Sequence, residues 1–542
     1  MTLLRHAFHL RYLPLTGAVL LTVAFAALAA LLPGTRILWL VLMVPAALLA
    51  ARGFFDLTQT RHAILRNYPL AAHLRFILEK IRPEIRQYFL ESDHDGMPFP
   101  RDKRAIVYQR AKRELDKRPF GTMNDVYSDS FEWLHHSLMP AEVQPHEAMR
   151  IDVGGPDCRL PYSASLFNIS AMSYGALSAN AVRALNKGAK LGGFAHDTGE
   201  GGISPYHREF GGDLIWEIGS GYFGARGKDG QFDPGAFAEN AADPQVKMVE
   251  LKISQGAKPG HGGVLPAAKI TDEIAAIRGV PMGQDCVSPA RHSAFSTPVG
   301  LLEFIARLRE TSGGKPTGFK LCIGHPWEFM AIVKAMLQTG ITPDFIVIDG
   351  KEGGTGAAPS EFLDHIGMPL RDGLAFAHSA LVGAGLRDRM RIGVAGKIIT
   401  GFDMARVMAL GADWCNAARG FMFAVGCIQA QACHTGHCPT GVTSPDPMRS
   451  RAVVVPDKAE RVKNFHRNTI HALAELVAAA GLSHPQELRP WHLLRRVTSD
   501  TVQSYAELYQ PLKPRQLLDD PDSTRRFGVA WRQARADSFA QA

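Results

Sequence analysis

Three of the chain's seven cysteines fall in one short stretch, Cys427, Cys433 and Cys438, with Pro439 immediately after. Thiolates are soft ligands well suited to iron. The pattern Cys-x5-Cys-x4-Cys fits neither the paired knuckles of structural zinc nor the C-x2-C-x2-C run of ferredoxins. Three such ligands can hold a [3Fe–4S] centre, or a four-iron centre completed by another group. His434 and His437 keep zinc open, and a cluster of thiols without metal is the plain alternative. The other cysteines are Cys158, Cys286, Cys322 and Cys415. An odd total with one tight cluster points to a reducing compartment rather than to a secreted disulfide framework.

Other chemistry-bearing residues sit where apolar strands give way to loops. Residues 350–356 read GKEGGTG and include Gly353 and Gly354; Gly396 and Lys397 follow a second strand; Ala418, Arg419 and Gly420 follow a third. Glycines let backbone N–H groups approach a ligand closely, and a cation beside them suits a phosphate. Their order predicts a phosphate-bearing cofactor. Lys320, in the strand motif GFKLCIG, either faces solvent or points into a ligand site, where it could stabilise negative charge on a reduced flavin. Gln255 and Lys258, in SQGAKPG, could meet a polar ring edge and an anion, with a solvated loop as the bland reading.

The elements that must carry these residues alternate. From about residue 165, strands are expected at Phe167–Met172, Gly193–His196, Glu250–Ser254, Gly318–Ile323, Asp344–Ile348, Arg391–Val394 and Trp414–Asn416, with a further one approaching Cys286. Helical segments separate them. That rhythm favours a parallel sheet, and about eight strands favour a closed (β/α)8 barrel whose binding loops lie at the strand ends. Ahead of it, Leu15 to Leu32 and Ile37 to Ala51 are apolar runs separated by Pro33-Gly34. They read as a transmembrane helical hairpin, the second run reaching Phe55 if Arg52 snorkels. Arg5, Arg11, Arg52, Arg61 and Arg66 flank the hairpin and only Arg36 lies within it, which places both ends in the cytoplasm. The expected divisions are a membrane anchor over 1–55, a helix-and-loop region over 56–150, the barrel with its cysteine loop over 151–450, and a helical and irregular extension over 451–542. The formal net charge of +8 comes without a dense lysine run or aromatic–basic alternation, so no nucleic-acid partner is expected.

Ser170–Val442 resembles the FMN-binding synthase domain of glutamate synthase. The resemblance is carried, in order, by MSYGALS at 172–178, TGEGG at 198–202, KISQGAKPGHGG at 252–263, GGTGAAP at 353–359 and CIQAQACHTGHCPTGV at 427–442. It implies an FMN-binding barrel with a [3Fe–4S] cluster, in which reduced FMN delivers hydride to 2-iminoglutarate made from 2-oxoglutarate and ammonia. It further implies that Met172 and Ser173 lie beside the flavin and that Gln255 and Lys320 contact its ring. Gly396–Lys397 and Ala418–Gly420 would hold the phosphate end, and Cys427, Cys433 and Cys438 the cluster. Glu200, Lys258 and Arg278 would form the catalytic, substrate-side group, where lysine and arginine suit a dicarboxylate.

The resemblance breaks at Val264, where the family places a substrate-contacting glutamine; valine cannot supply that amide, so a related 2-oxo acid, or an amine in place of ammonia, enters consideration. No amidotransferase domain and no G-x-G-x-x-G nicotinamide fingerprint are recognised. Nitrogen is therefore expected as free ammonia or from a separate amidotransferase, and electrons from an unidentified donor or to an unidentified acceptor, possible at the membrane. Three functions compete. The first is reductive amination of 2-oxoglutarate or a related 2-oxo acid. The second is an amine or 2-hydroxy-acid dehydrogenase coupled to a membrane electron carrier. The third is a non-catalytic assembly component. The expected location is a bacterial-type cytoplasmic (inner) membrane, with the catalytic domain in the cytoplasm.

Overall fold

A computed structural model describes residues 7–542, which divide into two compact units, residues up to Arg101 and Asp102–Ala542. In the first, α1 (Leu13–Leu31) and α2 (Arg36–Thr58) are joined by the short turn Pro33–Thr35 and pack on each other. At about 1.5 Å per residue both are close to or above the ~30 Å of a bilayer core. The most apolar 18 residues within Leu10–Leu31 and within Pro33–Thr58 have mean hydropathies of 2.1 and 2.0, and most of these residues are uncovered. By length and composition both can cross a membrane. The second apolar run is thus longer than its unbroken sequence suggested, because Arg52 and Asp56 are absorbed into the last turns of α2. Asp56 is fully buried there. It accepts the Leu70 N–H at 3.1 Å and pairs with His73 at 2.8 Å. That fixes the start of α3 (Ala72–Ile85) against the end of α2.

The second unit contains a closed barrel of eight parallel strands. They are β1 (Phe167–Ile169), β2 (His196–Asp197), β3 (Leu214–Ile218), β4 (Val246–Lys252), β5 (Thr317–Leu321), β6 (Phe345–Asp349), β7 (Arg391–Ala395) and β8 (Trp414–Ala417). Each pairs with its sequence neighbours, and β8 closes on β1. The (β/α)8 expectation holds. One strand was misplaced: β3 takes the position expected of a strand near Cys286. Its five residues, Leu-Ile-Trp-Glu-Ile, are all buried, so no alternation marks them. Cys286–Val287 instead pairs with Val264–Leu265 in a two-stranded excursion between β4 and β5.

The barrel interior changes character along its axis. At the bottom, Ile215, Met248, Val347 and Trp414 pack with Val153 and Tyr162. The last two come from a hairpin, Arg150–Val153 with Tyr162–Ser165, that plugs this end. Two residues further along the same strand faces stand Glu217, Glu250 and Asp349, and then Lys252. The plug and apolar layers make the bottom a packed core, where removing Trp414 would cost about 3–5 kcal/mol. The charged layers must therefore belong to the mouth.

The flanks are built around this body. Helix α4 (Arg101–Lys112) precedes it, and α5 (Ala179–Gly192) starts at Ser178, whose hydroxyl accepts the Ala181 N–H. A long α6 (Val455–Ala479) packs against α5 so closely that a Cβ on Gly188 would sit 2.4 Å from Val462. Glu132–Leu134 pairs with Leu493–Arg496, which pairs with Val502–Ser504, so segments before and after the barrel share one antiparallel sheet.

Candidate active site

Apart from Lys320, the site residues expected from sequence lie in the connections that follow barrel strands, at one end of the barrel. Met172 and Ser173 follow β1, Glu200 follows β2, and Gln255 and Lys258 follow β4. Gly353 and Gly354 follow β6, Gly396 and Lys397 follow β7, and Ala418, Arg419 and Gly420 follow β8. Lys320 is inside β5, and Arg278 ends a helix, Asp272–Arg278, in the β4–β5 excursion. That helix is held by an apolar cluster of Phe223, Leu265, Ile270, Ile274 and Cys286. The packing turns Arg278 back to the mouth, where its Nη2 donates to Ser173 Oγ at 3.2 Å and to the Tyr174 carbonyl at 3.1 Å. Arg278 is buried, its cation lies 5.2 Å over the Phe223 ring, and among the described residues its Nε has no hydrogen-bond partner. Gly201 makes this approach possible, since a Cβ there would stand 2.8 Å from Nη2.

Glu200 is the hub of the charged side around β2–β4. Lys252 Nζ lies 2.6 Å from its Oε2 and 3.6 Å from Glu217 Oε1. Burial alone would raise the Glu200 carboxyl, but Lys252, with Arg278 and Lys258 further off, holds it below its ordinary value. Glu200 is therefore an ionised acceptor. Gly263 passes so close that a Cβ would overlap Glu200 Oε1, which explains the glycine pair that follows His261. Lys258 is only 1% exposed, yet among the described residues no carboxylate lies within 4.0 Å of its ammonium. Burial lowers its pKa, and Glu200 partly offsets this.

Lys320 points inward, not to solvent. Its ammonium donates to Glu217 Oε2 in a very close contact, lies 2.9 Å from Glu250 Oε1 and reaches 4.0 Å from Asp197 Oδ2. Burial would depress it, but these three carboxylates hold it well above its ordinary value. They cannot all be ionised around one cation in a buried layer. Burial pushes Glu250 up to about 7 despite Lys320, with Glu217 adding to the rise, and drives Asp197 well up. Among the described residues, neither Glu250 oxygen has a partner with hydrogen-bond geometry, nor does Asp197 Oδ2. Among the described residues this acidic trio is the only group of His, Cys, Asp or Glu whose ligand atoms all lie within 4.8 Å, and Lys320 already supplies its positive charge. Sequence reasoning missed Lys252, Glu217, Glu250 and Asp197. The signal was there: charged residues at i and i+2 inside VKMVELK, and one inside LIWEI, mark the inward face near a barrel mouth.

The β6–β8 side is built of backbone. Gly396 (φ +155°) and Lys397 (φ +53°) adopt conformations that suit glycine and turn the chain out of β7. The Gly350 N–H donates to the Ala395 carbonyl at 2.8 Å, tying the neighbouring loops together. Arg419 Nη2 donates to the Thr355 carbonyl at 3.2 Å, and its Nη1 lies 3.9 Å from Cys433 Sγ. Open glycine loops beside arginine and lysine, with Lys320 at the neighbouring strand end, fit a flavin mononucleotide: a cradle for the phosphate and a cation for the ring. Lys397 is drawn down by burial, with Glu352 offsetting this in part.

Cys427, Cys433 and Cys438 share the loop after β8, which turns through Gln429 (φ +60°) and Gln431 (φ +54°). All are free thiols. Burial would raise Cys438, but hydrogen bonds from Thr440 and Thr443 hold it at about 7. Burial raises Cys427. Two neighbours were not foreseen. Tyr108 of α4 donates to the Cys427 carbonyl at 2.7 Å, and buried Lys269 donates to the Ala176 and Cys433 carbonyls at 2.9 and 3.3 Å. A Cys438 thiol held toward its thiolate and the Arg419 guanidinium beside Cys433 fit a metal centre. A single tetrahedral zinc would bring three sulfurs within about 4 Å of one another, and these do not form such a group.

The sequence profile described as "Conserved region in glutamate synthase" matches residues 154–483. The chain is 38% identical over 501 residues to the glutamate synthase large subunit-like protein YerD of Bacillus subtilis, covering 85% of this chain and 95% of that one. The chain belongs to the glutamate synthase family. Another relative is an archaeal-type glutamate synthase [NADPH] of Thermotoga neapolitana, 36% identical over 59% of this family member and 60% of its own length. The glutamate synthase [NADPH] large chain of Bacillus subtilis is 33% identical, and the match covers 59% of this chain but 20% of that one. This family member therefore spans nearly all of YerD, about three-fifths of the Thermotoga protein and a fifth of the large chain.

Proposed function

We propose that this protein is an FMN- and iron–sulfur-dependent oxidoreductase that forms an amino acid by reductive amination of 2-oxoglutarate or a related 2-oxo acid. The observation that carries the reading is Lys258, a buried cation with no carboxylate partner within 4.0 Å among the described residues, standing near the ionised Glu200. Such a cation calls for an anion from outside the chain, and a 2-oxo acid brings a carboxylate. Bound FMN would supply hydride to the imine carbon, and a [3Fe–4S] cluster on Cys427, Cys433 and Cys438 would supply electrons singly. The chain's own residues do the rest. Lys258 binds the acid. Arg278, through Ser173 and the Tyr174 carbonyl, positions the loop carrying Met172 and Ser173. Glu200 accepts an N–H of the nitrogen substrate, and Lys252 keeps that carboxylate ionised. Gln255, Lys320, Gly353, Gly354, Gly396, Lys397 and Ala418–Gly420 are the proposed flavin-holding residues.

α1 and α2 support a membrane anchor, with the catalytic part on the cytoplasmic side. Together with Val264 in place of an amide, they favour a second reading, a flavin dehydrogenase of amines or 2-hydroxy acids that passes electrons to a membrane carrier. One anaerobic experiment separates them. Photoreduced, FMN- and iron-loaded protein is mixed with 2-oxo acids and ammonium, and amino acid is quantified while flavin reoxidation is followed. Amino acid formed in proportion to flavin oxidised supports reductive amination. Bleaching of oxidised flavin by an amine or 2-hydroxy acid, with no amino acid formed in the first experiment, replaces it with the second reading. In the Lys258→Met variant KM for the acid should rise about 30-fold or more, the loss expected when a buried charge pair is truncated.

A further inference from the structure

Among the described residues, helix α3 leaves an apolar stripe exposed. At roughly 100° per residue, Leu74, Ile77, Leu78, Ile81 and Ile85 fall within an arc of about 100°. Leu74, Ile77, Leu78 and Ile81 are 41–62% exposed, although they belong to one regular helix. The helix has another face for its neighbours. Ala72 is buried, His73 pairs with Asp56 at 2.8 Å, and the Phe76 ring meets His62 edge-on at 5.5 Å. Those contacts dock the start of α3 onto the end of α2 and aim the stripe away from it. The apolar character continues through the following turn, Arg86–Leu90, where Tyr88, Phe89 and Leu90 are exposed.

Charge says what the stripe faces. Arg75, Arg82 and Arg86 line one flank of it on the same helical wheel, and the stretch 72–90 holds four lysines and arginines against two glutamates. Arg75 pairs with Glu79 at 2.9 Å and Arg86 with Glu91 at 2.9 Å, but all of these side chains stay half-exposed or more except Glu91. An apolar stripe edged by long cations, starting where an apolar helix of membrane-spanning length ends, matches the pattern of a helix lying in a lipid interface. A protein partner would need a hydrophobic groove, whereas the bilayer boundary is supplied by the same compact unit. We propose that residues 72–90 lie in the plane of the membrane surface, with the stripe in the upper acyl region and the arginines among anionic headgroups. The inference rests on the reading of α1 and α2 as a membrane anchor and adds a second, in-plane attachment.

The test uses the full-length protein in phosphatidylcholine vesicles with and without phosphatidylglycerol. An environment-sensitive fluorescent amino acid is placed singly at 21, 77, 78 or 79, and lipids carrying a quencher at shallow or deep positions are added. Expected are a blue shift and loss of emission with the shallow quencher at 77 and 78, stronger with phosphatidylglycerol, and emission at 79 lost to aqueous iodide. Position 21 should respond to the deep quencher. If 77 and 78 respond to iodide as 79 does while 21 responds to the deep quencher, the in-plane helix is overturned and the anchor stands. If none of the probes responds to lipid, both are overturned. Protection of 77 and 78 that disappears on diluting protein in lipid assigns the stripe to a second copy of the chain and also overturns the proposal.

Discussion

The two sides of the barrel mouth solve the problem of holding charge in opposite ways. Around β2–β5, charge is carried by side chains on the strands themselves, Asp197, Glu217, Glu250, Lys252 and Lys320, all at most 9% exposed. Past Asp349 at the end of β6, around β7 and β8, it falls to loop backbone turned by Gly396 and Lys397, with Arg419 reaching over. The first side is rigid and electrically self-sufficient apart from Lys258. The second is shaped to receive. The contrast teaches that charge is fixed by strand side chains on one side and by loop backbone on the other, so damage to one side should read differently from damage to the other.

The largest effect is expected from Lys320→Met. It takes from Glu217 its nearest cation and leaves only Lys252 at 3.6 Å, and loss of one partner of a buried pair costs about 3–5 kcal/mol. Denaturant melts should show that loss, together with loss of flavin. A melt unchanged within experimental scatter would mean that the acidic layer is held neutral and that the first side is not built on charge. On the receiving side, Cys433→Ser should remove iron and sulfide, while the far-ultraviolet circular dichroism of the barrel is retained. Collapse of both together would make the cysteine loop structural.

A pH experiment sharpens the first half of the comparison. Glu250 is held at about 7 in the folded protein against an ordinary value of 4.5. The folded state keeps this proton while the unfolded state releases it, so stability falls as pH rises from 4.5 to about 7 and levels off above. Glu250→Gln should flatten that fall in melts across this range. An unchanged slope would move the shared proton elsewhere in the cluster. The smallest effect is expected at Val264, which pairs with Val287 in the excursion hairpin. Val264→Gln adds one amide, worth about 1 kcal/mol, and should lower KM for 2-oxoglutarate roughly fivefold. No change there would separate the departure at 264 from substrate choice.

The same division explains what could be read in advance. The receiving side was legible because glycine, cysteine and basic residues announce themselves in loops; Gly353, Gly396–Lys397, Ala418–Gly420 and the three cysteines all come after strands, as expected. The barrel was legible from its rhythm of strands and helices. Of the strand-borne charges Lys320 was read in advance, but Glu217 was not, because it sits inside β3, whose burial on both faces erases the alternation that would have revealed it. Nor was the excursion strand at Cys286 distinguishable from a barrel strand, since two paired residues leave no period. The sheet uniting Glu132–Leu134 with Leu493–Arg496 was invisible for another reason: nothing local specifies a partner so distant.

That sheet has a consequence in time. Its first strand leaves the ribosome roughly 360 residues before its partner, which at about 5–20 residues per second is a wait on the order of 20–70 s. Through that interval residues 132–134 present an open edge, and such edges invite pairing with other chains. The apolar helices of residues 13–58 emerge earlier still. Insertion into lipid during synthesis would tether each nascent chain at its own place on a surface, keep neighbours apart, and leave the waiting edge for the strand that arrives last.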